Sequence, residues 1–262
     1  MSHLNELVIS VLNTSKYRHI SPDLVWRVGE RELAVRRNMK EAVKATKNKL
    51  HQVGGAYFEA KMDYEASLKL LRKADDRIAV LRQLMQQHAS TRERLPILDE
   101  FYSTIFAHLP PIQRVIDVAC GLNPLAYSWM SFLPGAEYVA YDVYGDMITF
   151  LNGFMSLAGI RGKAEVRDVI GQPPTEPADL IFILKTLPCL EQVDKTASAT
   201  LLDGLHGRYL LITYPVQSLG GRRKGMITTY TAHFQALSQG RDWQVQQFEF
   251  ETELAFLVET GR

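Results

Sequence analysis

The chain has 262 residues, enough for one large domain or for a catalytic domain of about 170 to 180 residues with a smaller partner. Its composition, 46% hydrophobic and 23% charged, excludes disordered and fibrous classes, and two cysteines exclude a disulfide framework or a multi-thiolate metal site. The net charge of +1 hides an asymmetry: residues 1–80 carry fifteen Lys and Arg against ten acids, and the remainder is net acidic.

The amino terminus has no charged leader followed by an apolar run, and no stretch approaches the ~18 apolar residues of a membrane span. A cytoplasmic, metal-free protein off the membrane is expected. Residues 1–90 place apolar side chains at helical spacing, such as Leu4, Leu7, Val8 and Val11, then Leu68, Leu71, Ile78, Leu81 and Leu84. Ser21-Pro22-Asp23 reads as a helix start, and Gly54-Gly55 as a break. Several short helices therefore form an N-terminal domain over 1–85, with a second domain over 86–262. The first is basic between Lys16 and Lys49, and Arg31, Arg36 and Arg37 within it suit an acidic polymer. A further helix is expected from Ser90-Thr91, with Leu95, Leu98, Phe101, Tyr102, Ile105 and Phe106 facing a sheet.

After Pro110-Pro111 short apolar runs alternate with helical patterns: Val115–Ala119, Tyr138–Asp142, Ala164–Val166, Asp179–Leu184 and Arg208–Thr213. That alternation predicts parallel strands with crossover helices. The runs Trp243–Phe250 and Glu253–Glu259 are too close for a crossover and predict an antiparallel hairpin. The fold class is therefore α/β: a Rossmann-like, mostly parallel seven-stranded sheet with its final strand antiparallel, plus the helical N-terminal domain.

Ligands of such sheets bind beyond the carboxyl ends of the strands. The first strand ends in Asp117 and enters the tight turn Ala119-Cys120-Gly121, followed by Asn123-Pro124 opening a helix. Asp142 ends the second strand, where a carboxylate can accept both ribose hydroxyls, and Asp168, followed by Val169, ends the third near an adenine amino group. A pyrophosphate-bearing cofactor would want G-x-G-x-x-G, which is missing, so an adenosine ligand without pyrophosphate fits, and S-adenosylmethionine is one.

The motifs D-V-A-C-G-L-N-P, H-A-S-T-R-E-R-L, L-K-T-L-P-C-L-E and S-L-G-G-R-R-K-G-M, found between His88 and Met226, resemble the aminoglycoside-resistance 16S ribosomal RNA methyltransferases that modify N7 of a decoding-site guanine. The resemblance covers essentially the whole chain. It implies a class I methyltransferase whose partner is 16S ribosomal RNA within the 30S subunit; apart from the resemblance, a monomer is expected. It further implies that Arg94 binds the methionine carboxylate, that backbone near Ala119 and Gly121 holds the amino-acid portion, and that Asp142 and Asp168 take ribose and adenine. Lys185 would position cofactor or base, and the Ser218–Met226 stretch, with Ser218, Arg222, Arg223 and Lys224, would bind RNA. The family's usual Lys or Arg before S-L-G is Gln217 here, and Tyr214 replaces a commoner phenylalanine.

Guanine N7 carries a free lone pair at neutral pH, so its methylation needs orientation and no general base. Tyr214 or Phe101 is a candidate to stack on an extruded guanine. Alternatives on physical grounds are adenine N1, cytosine C5 through the Pro188-Cys189 pair, and a non-catalytic RNA-binding factor.

Overall fold

Seven apolar runs become strands: β1 (Arg114–Val118), β2 (Glu137–Asp142), β3 (Gly162–Val166), β4 (Ala178–Leu184), β5 (Gly207–Pro215), β6 (Gln244–Glu249) and β7 (Glu253–Glu259). The computed structural model describes residues 2–54, 62–217 and 225–261. The strands form one mixed sheet of order β3-β2-β1-β4-β5-β7-β6. Strands β1 to β5 pair in parallel, while β7 runs antiparallel to both β5 and β6. The strand order reverses between β1 and β4, which is where such sheets open a crevice.

Side-chain alternation sorts the core into two layers. Val115, Tyr138, Ala140, Leu180, Phe182 and Leu211 face one side, packed by α4 (Tyr64–Lys73), α5 (Arg77–Met85), α7 (Leu98–Ala107) and α8 (Gly145–Ala158). Ile116, Val139, Ile181, Ile183 and Ile212 face the other, under α9 (Leu187–Val193), α10 (Ala197–Gly204) and α11 (Met226–Ser238). Edge strand β6 is exposed and Gln-rich.

Helices α1 (His3–Leu12), α2 (Pro22–Val35) and α3 (Met39–Val53) share a third cluster built on Leu7, Val11, Leu24, Val25, Val28 and Leu50. Asn38 caps α3 by accepting from the Glu41 amide at 3.0 Å. Leu71, Leu81, Leu84 and Met85 of α4 and α5 instead belong to the sheet's own core. Among the described residues the buried members of the helical cluster run from Leu7 to Leu50.

The helix expected from Ser90 starts one residue earlier, as α6 (Ala89–Arg94) with His88 at its N-cap, and a 3-10 turn over Leu95–Ile97 separates it from α7. Pro96 accounts for the interruption, since it lacks the donor a continuous helix needs. Among the described residues no helix is long and apolar enough to cross a membrane.

Candidate cofactor and target site

Beyond the carboxyl ends of β1, β2 and β4 lies a cavity with about 850 Å3 of empty space including its mouth. Ala119, Asn123, Asp142, Asp168, Val169 and Lys185 line it. The turn after β1 is strained to make this wall: Ala119 has φ 53° and Gly121 φ 52°. A β-carbon on Gly121 would come within 2.7 Å of the His88 ring, so only glycine lets the turn close on that imidazole. Lys185 is the other non-glycine residue with positive φ, at 58°, among the described residues. Strain at two positions facing one cavity marks a site that the surrounding fold enforces.

The Asp142 carboxylate accepts from the amides of Gly121 (2.9 Å), Val143 (2.7 Å) and Tyr144 (3.3 Å). Burial nevertheless pushes its pKa above the usual carboxylate value, the three amides only partly offsetting this. Asp168 accepts from the Ile170 amide at 3.1 Å and from Arg27 Nε at 2.7 Å. Arg27 belongs to α2, so the helical unit reaches the Asp168 end of the site. It does so through backbone as well: the Ser21 amide donates to Val143 O at 2.7 Å and the Gly145 amide to His19 O at 2.7 Å, immediately after Asp142. Leu24 and Gly54 complete that rim.

This donor and acceptor set fits an adenosine ligand. Fixed carboxylate acceptors stand where hydroxyls and an amine would approach, with Leu24, Met147, Ile170 and Leu190 supplying apolar wall. Beneath the turn, Asp117 accepts from Tyr138 Oη (2.6 Å) and Asn123 Nδ2 (2.9 Å). Its Oδ1 is buried with no hydrogen-bond partner among the described residues, and burial raises its pKa to about 6. Asp117 is thus a buried acceptor under the cavity and does not form its wall.

Three expectations change on the structure. Arg94 does not line the cavity; it is 1% exposed, forks onto Glu253 (Nε 3.0 Å, Nη2 2.6 Å) and holds Asn123 Oδ1 at 2.9 Å. It positions Asn123 and buttresses β7, because most of its donors are already committed inside the core. Tyr214 is fully buried, its hydroxyl bonded to His233 Nδ1 at 3.0 Å and its ring stacked on Tyr230 at 4.8 Å, so it cannot receive an extruded base. Phe101 is likewise core, beside Tyr102 and Phe250.

Lys185 lies on the cavity wall as expected, with unexpected company. Its ammonium meets Glu93 at 2.8 Å, Glu253 at 3.3 Å and the Ser90 carbonyl at 3.4 Å. Burial alone would raise the Glu253 carboxyl, yet Arg94 and Lys185 hold it below the ordinary value. Sequence reading missed Glu253, Glu93, Arg27 and Tyr230. Glu93 stands inside the S-T-R-E-R motif, whereas Glu253 and Arg27 have no local signal.

Of the expected RNA contacts, Arg31 donates to Val193 O at 2.8 Å and pairs with Asp194, and Arg36 pairs with Glu32 on its own helix. Arg37 is exposed with no ion pair among the described residues. Ser218, Arg222, Arg223 and Lys224 lie outside the described residues.

Strand order, crevice and acids define a Rossmann-like methyltransferase of class I. The chain belongs to the FmrO family of ribosomal RNA methyltransferases, whose model matches residues 13–257. It is 38% identical to a 16S rRNA (guanine(1405)-N(7))-methyltransferase of Frankia casuarinae, over 95% of this chain and 91% of that one. A protein of the same name from Micromonospora echinospora is 34% identical over 98% and 96%. Among solved structures, the 16S rRNA methyltransferase RmtF in complex with S-adenosyl-L-homocysteine superposes with TM-score 0.88 at 30% identity, over 99% of each chain.

Proposed function

We propose that this chain transfers a methyl group from S-adenosylmethionine to N7 of a decoding-site guanine of 16S ribosomal RNA in the 30S subunit, protecting a bacterium from gentamicin and kanamycin. The observation that carries this reading is the cavity at the strand ends, walled by Asp142, Asp168 and Lys185, in a chain of this family. The full-length relatives carry that activity in their names.

Asp142 would hold the ribose hydroxyls and Asp168 the adenine amine, with Val169 beside it. Ala119 and Asn123 would face the amino-acid portion, with Gly121 closing the turn behind them and Asp117 lying below with its free acceptor. When bound, the cofactor supplies a sulfonium methyl: the N7 lone pair forms the N–C bond, the C–S pair returns to sulfur, and the positive charge passes to the purine. No proton moves at N7, so the protein's work is to orient the base and exclude water.

The helical unit is the docking element of this reading. The buried members of its cluster run from Leu7 to Leu50, so we assign docking to residues 1–54 within the first 85, acting as a monomer in the cytoplasm. Exposed Arg18, Arg37, Lys40 and Lys44 offer phosphate contacts. The test is expression in a susceptible bacterium. Resistance to gentamicin and kanamycin with apramycin sensitivity, and a strand break at one guanine after reduction and aniline treatment, are expected; unmodified 16S RNA would overturn the reading.

A further inference from the structure

A second cavity, of about 350 Å3, adjoins the first, and Lys185 and Cys189 line both. Glu93, Gln217 and Tyr230 line the second alone. Resting on the methyltransferase reading above, we propose that this cavity receives the target guanine and that the Glu93–Lys185 ion pair reads its O6/N1–H edge.

The order of groups carries the assignment. Around a guanine the perimeter runs N7, O6, N1–H, then the N2 amine. From the cofactor cavity outward the wall runs from Lys185, common to both spaces, to Glu93, which belongs to the outer one. With N7 turned to the cofactor cavity, O6 falls to the ammonium and N1–H to the carboxylate. The two groups stand 2.8 Å apart, side by side as O6 and N1 are. An ammonium can only donate and an ionised carboxylate only accept. Adenine inverts both contacts, presenting an amine to Lys185 and a bare ring nitrogen to Glu93. The pair thus accepts one purine and repels the other.

Two further features fit this occupant. Tyr230 gives the cavity an aromatic wall, held in place by stacking on the buried Tyr214, whose hydroxyl meets His233, itself 2.8 Å from Glu191. The purine gains positive charge as N7 is alkylated, which acidifies N1–H, so its bond to a carboxylate strengthens as the reaction proceeds. Glu93 then favours the transition state over the bound substrate.

The ion pair tolerates its own test, because Lys185 has a second carboxylate, Glu253, at 3.3 Å. Glu93→Gln and, as a second variant with the charge retained but withdrawn, Glu93→Asp would be compared with wild type on 30S subunits carrying guanine or adenine at the target position. Cofactor affinity would be followed by calorimetry with S-adenosylmethionine, and folding by thermal melting. A drop of about tenfold to a hundredfold in kcat/KM on guanine is expected. The guanine-to-adenine preference should narrow in Glu93→Gln, and cofactor affinity should stay within about twofold. Wild-type kcat/KM and wild-type preference in both folded variants would overturn the assignment of Glu93. Failure of wild type itself to methylate 30S subunits would instead overturn the broader reading.

Discussion

Arg94 shows how one residue decides between two accounts of the same motif. As a cofactor ligand alone it would leave the free protein's stability untouched when removed. Instead it sits 1% exposed in a forked pair with Glu253, over the Phe101 ring at 4.9 Å. Removing one partner of such a pair strands a buried charge at about 3 to 5 kcal/mol, which is a large share of a domain's stability. Arg94→Ala should therefore destabilise the cofactor-free protein by that order, seen as a lower denaturant midpoint, with Lys185 absorbing part of the effect at Glu253. An unchanged midpoint would restore the simple ligand role. His88, pressed against Gly121, gives a second residue-scale expectation. Burial, then Lys185, Arg92 and Arg94, push its pKa down to about 3. The unfolded chain takes up that proton near the ordinary value of about 6.5, so between the two values the unfolded state binds more protons and stability rises with pH. Acidification from about 6.5 towards 3 removes that stability. Asp117, raised to about 6, works in the opposite direction between about 4 and 6, because there the folded state holds the extra proton. Since Asp117 is common to both proteins, the difference curve isolates the histidine: the unfolding free energy of wild type minus that of His88→Gln should rise with pH between about 3 and 6.5. Parallel curves would mean that His88 titrates alike in both states.

Elements were legible in the sequence to the extent that their signals were local. Strand β7 has the expected bounds, Glu253–Glu259, and the other strands fall within two residues of theirs; the central ones, buried on both faces, stand out as short continuous apolar runs. Strand β3 begins earlier than expected, at Gly162, where φ is 136° and a β-carbon would fall 1.9 Å from Tyr138 O. Nothing in the neighbouring residues announces that close approach. The acids of the cavity wall were legible for a local reason too, Asp142 ending β2 and Asp168 following β3 by two residues. The partners that give the site its character were not: Arg94 meets Glu253 across 159 positions and Arg27 meets Asp168 across 141. The partners of Arg31 were hidden similarly, since Asp194 and Val193 approach it only where α2 meets the end of α9. Arg31 clamps the two elements together. It holds the Asp194 carboxyl down to about 2. With the arginine side chain 47% exposed, solvent screening leaves the pair no more than about 0.5 to 1 kcal/mol. A double-mutant cycle of Arg31→Ala and Asp194→Ala, read by urea unfolding, should return a coupling of that size. Additive effects would free Arg31 for RNA.

At the scale of the whole molecule, a net charge of +1 gives little long-range attraction to RNA, so docking must come from local patches. The structure divides the basic helices into two populations. Arg27, Arg31, Arg36 and Lys49 are committed to Asp168, Asp194, Glu32 and the Gln192 carbonyl, and all but the Arg36 pair tie the helical unit to the methyltransferase domain. Arg18, Arg37, Lys40 and Lys44 are exposed and make no ion pair among the described residues. Arg27, Arg31 and Lys49 set where the unit sits relative to the cavities, and the second group is available to phosphate. Removing the second should therefore weaken RNA binding without moving the cofactor site. For the triple variant Arg37→Ala, Lys40→Ala, Lys44→Ala, affinity for 30S subunits should fall, and the slope of log K against log salt should become shallower by about 0.7 to 0.9 for each phosphate that is no longer neutralised. Affinity for S-adenosylmethionine should hold, since none of the three lines the cofactor cavity. Arg27→Ala should do the reverse: it releases Asp168 from its ion pair, so cofactor affinity changes while the salt slope stays. If the triple variant kept the wild-type slope, the exposed helix faces would be solvated surface, and docking would rest on the remaining basic residues.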